Sequence, residues 1–549
     1  MSILDYASLA RPHAETVESD PLGHLSRADR RRFVEFGWGP AATPTHLLLH
    51  QAFEAQVGLR PDAVAVEHGA DRVTYRELDV LAETVAARLA ADGVGRGDLV
   101  GLFVERSIPM VAAMLGTLKV GAAYVPQHAG VAPERQLTYI VERTGTAVVL
   151  TLFHLRHHLP ALPGVEVLDV DLLLGEVDRG VATPAPSSID TTPLRPTGQP
   201  DDPCFVLFTS GTTGPPNGVV VTHRNVANIV LTEPGDLGIK PGMRVGQILS
   251  IAFDMAEWEI HGAITHGATL VIRGADIEAC AADVDVLIAT PSILASIDAE
   301  RCRQRVRVVA VAGEPCPVSL ADTWSGFARF HNSCGPTETT IVNTVQRYDG
   351  RRGLTIGAPT PNNTVYVLDE HLKPLPIGEV GEMWAGGDCV TAGYLGSDDR
   401  TDGLNADRYR DDPFLGGGRT MFRTRDLGRW TADGQLEHFG RTDDQVKVRG
   451  FRVELDSVSS VLEAQPTCER VVVLKYDDRH LVAFAEPATV HPEAAAAAVG
   501  EALPYYCVPA RIFAVDRLPR TDRGKIDKRA LRELAERTLG SLDAEAVVR

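Results

Sequence analysis

The chain has 549 residues, a formal net charge of −19 and eight cysteines, too long for one hydrophobic core, so two or more domains are expected. The acidic balance excludes a nucleic-acid surface, which carries a basic excess, and cysteines without a Cys-x-x-Cys pair suggest neither a disulfide framework nor a zinc site. No signal peptide opens the chain and no apolar run reaches the roughly 18–20 residues of a membrane span, so a cytoplasmic protein with no membrane partner is expected.

Residues 1–45 read as a polar lead-in with a short helix over 27–36, in which Arg30, Arg31 and Arg32 form a solvated face. From residue 63 the pattern predicts strands over 63–67, 99–104, 123–126 and 147–152. Helices over 74–89, 109–118 and 133–143 alternate with them. Such alternation means βαβ units and a parallel sheet covered on both faces. Residues 183–202, rich in Pro, Ser, Thr and Asp, read as a linker. The alternation resumes over 244–249, 269–272, 284–289 and 306–312. After Gly335 shorter segments punctuated by Gly and Pro predict antiparallel strands, as a small barrel or sheet, up to about Gly440. The last hundred residues predict a compact α+β unit. Its helices start near Asp456 and Pro492, its strands cover 470–474, 481–485 and 511–515, and a charged helix closes it. The expected class is therefore α/β, a large N-terminal domain with two βαβ-type subdomains and a small β-barrel-like part, followed by a smaller α+β C-terminal domain.

Between these elements stands Val206-Leu-Phe-Thr-Ser-Gly-Thr-Thr-Gly-Pro-Pro-Asn-Gly-Val219. The apolar run from Cys204 to Phe208 predicts a buried strand that opens into a loop. Glycines let a backbone approach a ligand closely, and amides with hydroxyls can cradle a polyphosphate. A Walker A loop needs Gly-Lys-Ser/Thr, and Asn217-Gly218-Val219 stands there instead. The competing reading is a plain Gly/Ser/Thr turn.

Eight further segments accompany that loop in a recognisable order: Val73-Thr-Tyr-Arg-Glu-Leu78, Leu118-Lys-Val-Gly-Ala-Ala-Tyr-Val-Pro126, Phe253-Asp-Met-Ala-Glu-Trp258 and Asn332-Ser-Cys-Gly-Pro-Thr-Glu338. Then come Gly381-Glu-Met with Gly393-Tyr394, Phe422-Arg-Thr-Arg-Asp-Leu427, Gly440-Arg-Thr-Asp-Asp-Gln-Val-Lys-Val-Arg-Gly450 and Leu518-Pro-Arg-Thr-Asp-Arg-Gly-Lys-Ile-Asp527. With them, residues from about 50 to 534 resemble an adenylation domain of the adenylate-forming superfamily, as found in nonribosomal peptide synthetases. The resemblance implies a domain of residues 46–440, a hinge over 441–445 around Asp443, and a mobile domain of residues 446–549. It also implies a reaction in which a carboxylate attacks the α-phosphate of ATP, and a carrier protein's phosphopantetheine thiol then takes the acyl group.

Two anions must meet in line, so such a site needs cations and oriented donors where charge accumulates. By resemblance, Thr209, Ser210, Gly211, Thr212, Thr213, Gly214, Asn217 and Gly218 would wrap the β- and γ-phosphates. Ser333, Cys334 and Gly335 would flank the nucleotide, and Thr337 would touch the α-phosphate. Glu338 would hold Mg²⁺, a hard cation that prefers oxygen ligands. Asp426 would accept from the ribose hydroxyls, with Arg441 beside it. Lys525 would reach the substrate carboxylate and the α-phosphate when the small domain rotates. Asp254 would pair with a substrate α-ammonium, which favours an amino acid. Met255, Trp258, Ile288, Ala310, Ala312, Ser333, Ile341 and Val342 would line a mainly apolar pocket with one hydroxyl, suited to an apolar amino acid.

Three residues depart from the family pattern. Asn217 stands where a lysine is usual, Cys334 where a tyrosine supports the adenine, and Arg425 where a glycine precedes Asp426. A free-standing enzyme serving a carrier in trans is expected, with a small MbtH-like activator protein as a further partner. The alternatives are an acyl- or aryl-CoA ligase, against which Asp254 speaks, and a catalytically weakened scaffold or binding protein, motivated by the three departures.

Overall fold

The computed structural model describes residues 20–178, 198–211, 214–396, 398–442, 445–449, 451–465, 468–520 and 526–539. The chain divides into two compact units. One comprises Met1–Gly130, Ile140–Phe208 and Gly218–Asp443, the other Val131–Tyr139, Thr209–Asn217 and Asp444–Arg549. Among the described residues no helix is long and apolar enough to cross a membrane.

Among the described residues of the first unit, a nine-stranded sheet places Val308–Val311, Val286–Ala289, Arg244–Gln247, Thr269–Ile272 and Val64–His68 side by side in parallel. Arg329–Cys334 joins it in parallel, and Thr344–Tyr348 runs back antiparallel beside it. Strands such as Val286–Ala289 and Val308–Val311 are buried at every position. Covered on both faces, they read as unbroken apolar runs rather than alternating ones.

A second sheet takes the order Glu166–Asp169, Val148–Thr151, Leu99–Phe103, Ala123–Gln127, Pro203–Gly211 and Gly214–Thr222. The expected strands and helices between residues 63 and 152 occur within a residue or two. The helix Leu49–Leu59 and the short strands Asp71–Thr74 and Glu166–Asp169 were not expected. Segments of four residues are too short to show a period. The phosphate-type motif also differs from expectation. The strand does not end at Phe208 but runs to Gly211, and the next begins at Gly214. Thr209 fits a pleated strand, so strand structure flanks the centre of the motif on both sides.

The part expected as a small barrel is an open antiparallel sheet among the described residues, Asn363–Leu368, Gly381–Gly387, Thr420–Trp430 and Tyr409–Asp411, with Leu436–Arg441 added beside Thr420–Trp430. The lead-in helix Arg27–Gly37, capped by the Ser26 hydroxyl, lies on this sheet. Phe33 stacks on Tyr366 at 5.6 Å and meets Phe414 at 5.1 Å.

In the second unit, Arg470–Lys475, Leu481–Glu486 and Arg511–Ala514 form a three-stranded sheet. Alternate residues feed two cores. Val471, Val473, Ala483 and Ala485 pack with the helices Leu455–Glu463 and Pro492–Ala502. Val472, Leu474, Val482 and Phe484 pack with Leu518 and with Leu531 of the helix Lys528–Leu539. Arg520 and Ile526 form a bridge, and Asp527 caps the closing helix through the Arg529 and Ala530 amides. Lys525, Asp443, Thr212 and Thr213 lie outside the described residues. Of Ser210, Gly211 and Gly214 the backbone alone is described.

Candidate active site

The loop between Arg329–Cys334 and Thr344–Tyr348 gathers several predicted residues. The Asn343 amide donates to the Cys334 carbonyl at 3.0 Å and closes the loop's foot. Gly335 is required there, since a Cβ would come within 2.6 Å of the Val342 Cα. Thr337, Glu338 and Thr339 make one short 3₁₀ turn. Thr340 and Ile341 follow at φ 55° and 67°, a region that β-branched residues rarely adopt. The Val342 amide donates to the Thr340 carbonyl at 2.8 Å, a γ-turn centred on Ile341. Such strain persists when surrounding bonds over-determine it. Here the Thr340 hydroxyl donates to the Cys389 carbonyl at 2.8 Å and the Thr391 amide to the Glu338 carbonyl at 3.1 Å.

The Glu338 side chain is 1% exposed and accepts from the Tyr394 hydroxyl at 2.6 Å. Tyr394 stands edge-on to Tyr409 at 5.7 Å. Burial pushes the Tyr409 phenol far above its usual range, and the Tyr394 and Glu338 charges add to it. Tyr394 is fixed by backbone: Leu395 N–H donates to the Gly218 carbonyl at 2.7 Å and Val220 N–H to the Gly393 carbonyl at 3.0 Å. Gly218 admits this approach, because a Cβ would sit 3.1 Å from both Phe208 and Val206. Just before it, the Thr209 hydroxyl donates to the Asn217 carbonyl at 3.5 Å.

A second cluster lies on the antiparallel sheet. Asp426 and Arg441 are register partners, and Arg441 donates to the Asp426 carboxylate at 2.8 Å. Arg425 stands at φ 62°, where glycine would be free of strain. Its guanidinium donates to Asp407 at 2.9 Å.

The third cluster gathers residues predicted to line an acyl pocket. Asp254 is half-buried at the start of the helix Met255–Ile264, and its carboxylate makes no capping bond to that helix. Ile288 pairs in register with Ala310 at the carboxyl ends of parallel strands, with Ala312 one residue beyond. Ligands of open α/β sheets bind at that end. The Met255 sulfur lies 3.7 Å from where a Gly313 Cβ would stand, which joins the helix to the strand ends. Ile288, Ala310, Ala312, Ile341 and Val342 are at most 1% exposed. Trp258 is also fully buried, and its indole N–H donates to the Gly235 carbonyl at 2.6 Å, so ring carbon is what it offers.

The AMP-binding enzyme family matches residues 53–395. The chain is 43% identical over 520 residues to an adenylate-forming reductase of Coprinopsis cinerea, covering 94% of this chain and 49% of that one. It is 37% identical to an isonitrile lipopeptide synthase of Mycobacterium tuberculosis, over 95% of this chain and 21% of that one. A nonribosomal peptide synthetase structure in its AMPPNP-bound form superposes with a TM-score of 0.67 at 30% identity, covering 80% of this chain and 47% of that one.

The chain belongs to the AMP-binding enzyme family. Its fold is that of adenylate-forming enzymes, and such enzymes use ATP. It spans about half the length, or less, of these curated relatives.

Several residues of this adenylate-forming enzyme contact the predicted ones without having been expected from sequence. Tyr394 stands in the Gly393-Tyr394 motif, but nothing local ties it to Glu338. His438 approaches Asp426 at 3.3 Å, and its spacing from Arg441 held no signal of that. Glu259, fully buried, accepts the Ile248 amide at 2.9 Å and a 3.3 Å bond from the Gln247 side chain. Arg106 donates to the Leu249 carbonyl at 3.0 Å. These two residues hold the segment leading to Asp254. Burial pushes the Glu259 carboxyl up to about 8 against its backbone donors. One turn into the helix, Glu257 accepts from the Tyr124 hydroxyl at 2.6 Å, and His261 lies 3.0 Å from that oxygen.

Proposed function

We propose that the chain activates an amino acid with ATP and passes the aminoacyl group to the phosphopantetheine thiol of a carrier protein in trans. A carboxylate oxygen attacks the α-phosphorus, the bond to the β-phosphate bridge oxygen breaks, and pyrophosphate leaves. The thiol then loses its proton, its sulfur bonds the acyl carbon and AMP departs. The observation that carries the amino-acid reading is Asp254, a half-buried carboxylate at the start of the helix Met255–Ile264. A charge-assisted bond to an α-ammonium suits that setting. The buried lining of Met255, Trp258, Ile288, Ala310, Ala312, Ile341 and Val342 supports a side chain that is apolar along most of its length.

Glu338 would hold Mg²⁺ and Thr337 would face the α-phosphate. Among the described residues no three His, Cys, Asp or Glu side chains cluster to hold a metal, so the ion would complete its shell from phosphate oxygens and water. Bound there, Mg²⁺ supplies charge neutralisation at the phosphates. Thr209, Ser210, Gly211, Thr212, Thr213, Gly214, Asn217 and Gly218 would cover the pyrophosphate side, and Asp426 with Arg441 would bind the ribose. Lys525 would bridge the carboxylate and the α-phosphate, with Asp443 as the hinge between the domains of residues 46–440 and 446–549. A small MbtH-like activator and a cytoplasmic setting complete the reading.

A pyrophosphate-exchange panel of amino, aryl and aliphatic acids tests this, with amino acids expected to lead. Lys525→Ala should abolish exchange while transfer from preformed adenylate to the carrier continues. The 43% identity to an adenylate-forming reductase supports a second reading, in which the activated acid is destined for reduction. Aryl or aliphatic acids outperforming every amino acid would select it.

A further inference from the structure

One face of the strand Arg329–Cys334 carries two buried polar side chains without a partner among the described residues. His331 is 4% exposed and both its ring nitrogens are unpaired, and the Ser333 hydroxyl, also on a residue 4% exposed, is unpaired. Buried polar groups are nearly always hydrogen-bonded, so two on one face call for a physical reason. Their position supplies it. Ile288 pairs with Ala310 and Ala310 with His331 in register, so these three side chains leave the sheet on the same face. Ser333, two residues on from His331, leaves on that face too. The wall formed by Ile288 and Ala310 thus continues into an imidazole and a hydroxyl.

We propose that His331 and Ser333 form a polar end of the acyl pocket and recognise a substrate side chain ending in a neutral hydrogen-bonding group, a carboxamide or a hydroxyl. The inference rests on the activation reading above and adds the substrate's side-chain class. Burial, with Arg329 and Arg347 nearby, lowers the His331 imidazole to about 4. At neutral pH it is uncharged, with one nitrogen donating and the other accepting. The hydroxyl of Ser333 can do either. A carboxamide or hydroxyl matches that pair, a carboxylate lacks the donor, and a hydrocarbon leaves both groups unpaired. A site built around polar groups rejects the analogue that cannot bond them far more strongly than an apolar site rejects an extra methylene.

Pyrophosphate exchange with isosteric pairs tests this: asparagine against leucine, threonine against valine, tyrosine against phenylalanine. The polar member of the best pair should lead by about 10-fold or more in kcat/KM. In the His331→Leu, Ser333→Ala double variant that lead should vanish or reverse. The thermal midpoint of the double variant should hold or rise, because unpaired buried groups are removed. His331→Gln, which keeps a donor and an acceptor, should retain the polar preference. Three results overturn the proposal: a wild type that prefers the apolar isostere, a ratio unchanged in the double variant, or a lowered thermal midpoint in both variants, which assigns His331 to packing. Exchange with apolar acids alone leaves activation standing. Exchange with no acid at all defeats the activation reading and this inference together.

Discussion

The Glu338 carboxylate is 1% exposed and takes a 2.6 Å hydrogen bond from a tyrosine 56 residues away. A bond to a charged group is worth about 1.5–3 kcal/mol, so Tyr394→Phe should lower kcat/KM for ATP about 10- to 100-fold in pyrophosphate exchange. Cys334 offers the opposite kind of test. It is half-buried next to Gly335, where the family places an aromatic platform, and stacking a base on an aromatic ring is worth about 1–3 kcal/mol. Cys334→Tyr should therefore lower KM for ATP by about 5- to 100-fold, read from exchange kinetics at saturating acid. Arg425 is legible in sequence as a departure from glycine, but its consequence is not. Its φ of 62° and its bond to Asp407 both arise from the surrounding sheet.

At the scale of elements, the loop from Gly335 to Val342 is where local geometry and chemistry coincide. Its short 3₁₀ turn, γ-turn and two positive-φ residues hold Thr337, Glu338, Ile341 and Val342 in one rigid piece. Gly335→Ala would push a methyl against the Val342 backbone, whose Cα stands 2.6 Å from the added atom. Backbone cannot swing aside as a side chain can, and overpacking of this kind costs about 1–3 kcal/mol. A lower thermal midpoint and a loss of exchange should appear together. The Gly-Pro-Thr-Glu order pointed to this loop from sequence. The γ-turn did not show, because β-branched Thr340 and Ile341 have no intrinsic preference for that conformation and adopt it under the contacts to Cys389 and Thr391. The strands of the large sheets were legible for a simpler reason, since elements buried on both faces are apolar throughout. The connection at Thr209–Gly218 was misjudged in length, as Thr and Ser suit a strand as well as a loop.

Across the whole molecule, buried titratable groups set how stability responds to pH. Burial lowers His50 to about 4, His223 to about 3 and His331 to about 4, so the folded protein keeps them neutral where the unfolded chain, at 6.5, protonates them. Their contribution is full above pH 6.5 and is lost as pH falls towards 4. Glu259 acts in the reverse sense. Raised from 4.5 to about 8, it is protonated when folded and ionised when unfolded between those values, so its contribution is lost as pH rises through 8. Each pKa unit of difference is worth about 1.4 kcal/mol per group. Thermal midpoints should climb from pH 4 to about 6.5 and decline towards 8, and Glu259→Gln should flatten the declining limb. A decline that persists in the variant would assign it to other groups.

Residue identity and order by themselves determined the α/β class, the family, ATP as nucleotide, and the Thr-Glu and Asp-Leu segments that resemble a nucleotide site. Those features are written in contiguous motifs, where each residue type is demanded by the charge or the backbone freedom it must supply. Tertiary structure alone decided that Tyr394 meets Glu338, that His438 joins Arg441 at Asp426, that Glu259 braces the approach to Asp254, and that among the described residues His331 and Ser333 are left unpaired on one face. Such facts depend on which distant segments become neighbours, and strand register and backbone closure settle that when the chain folds, with no trace in local spacing.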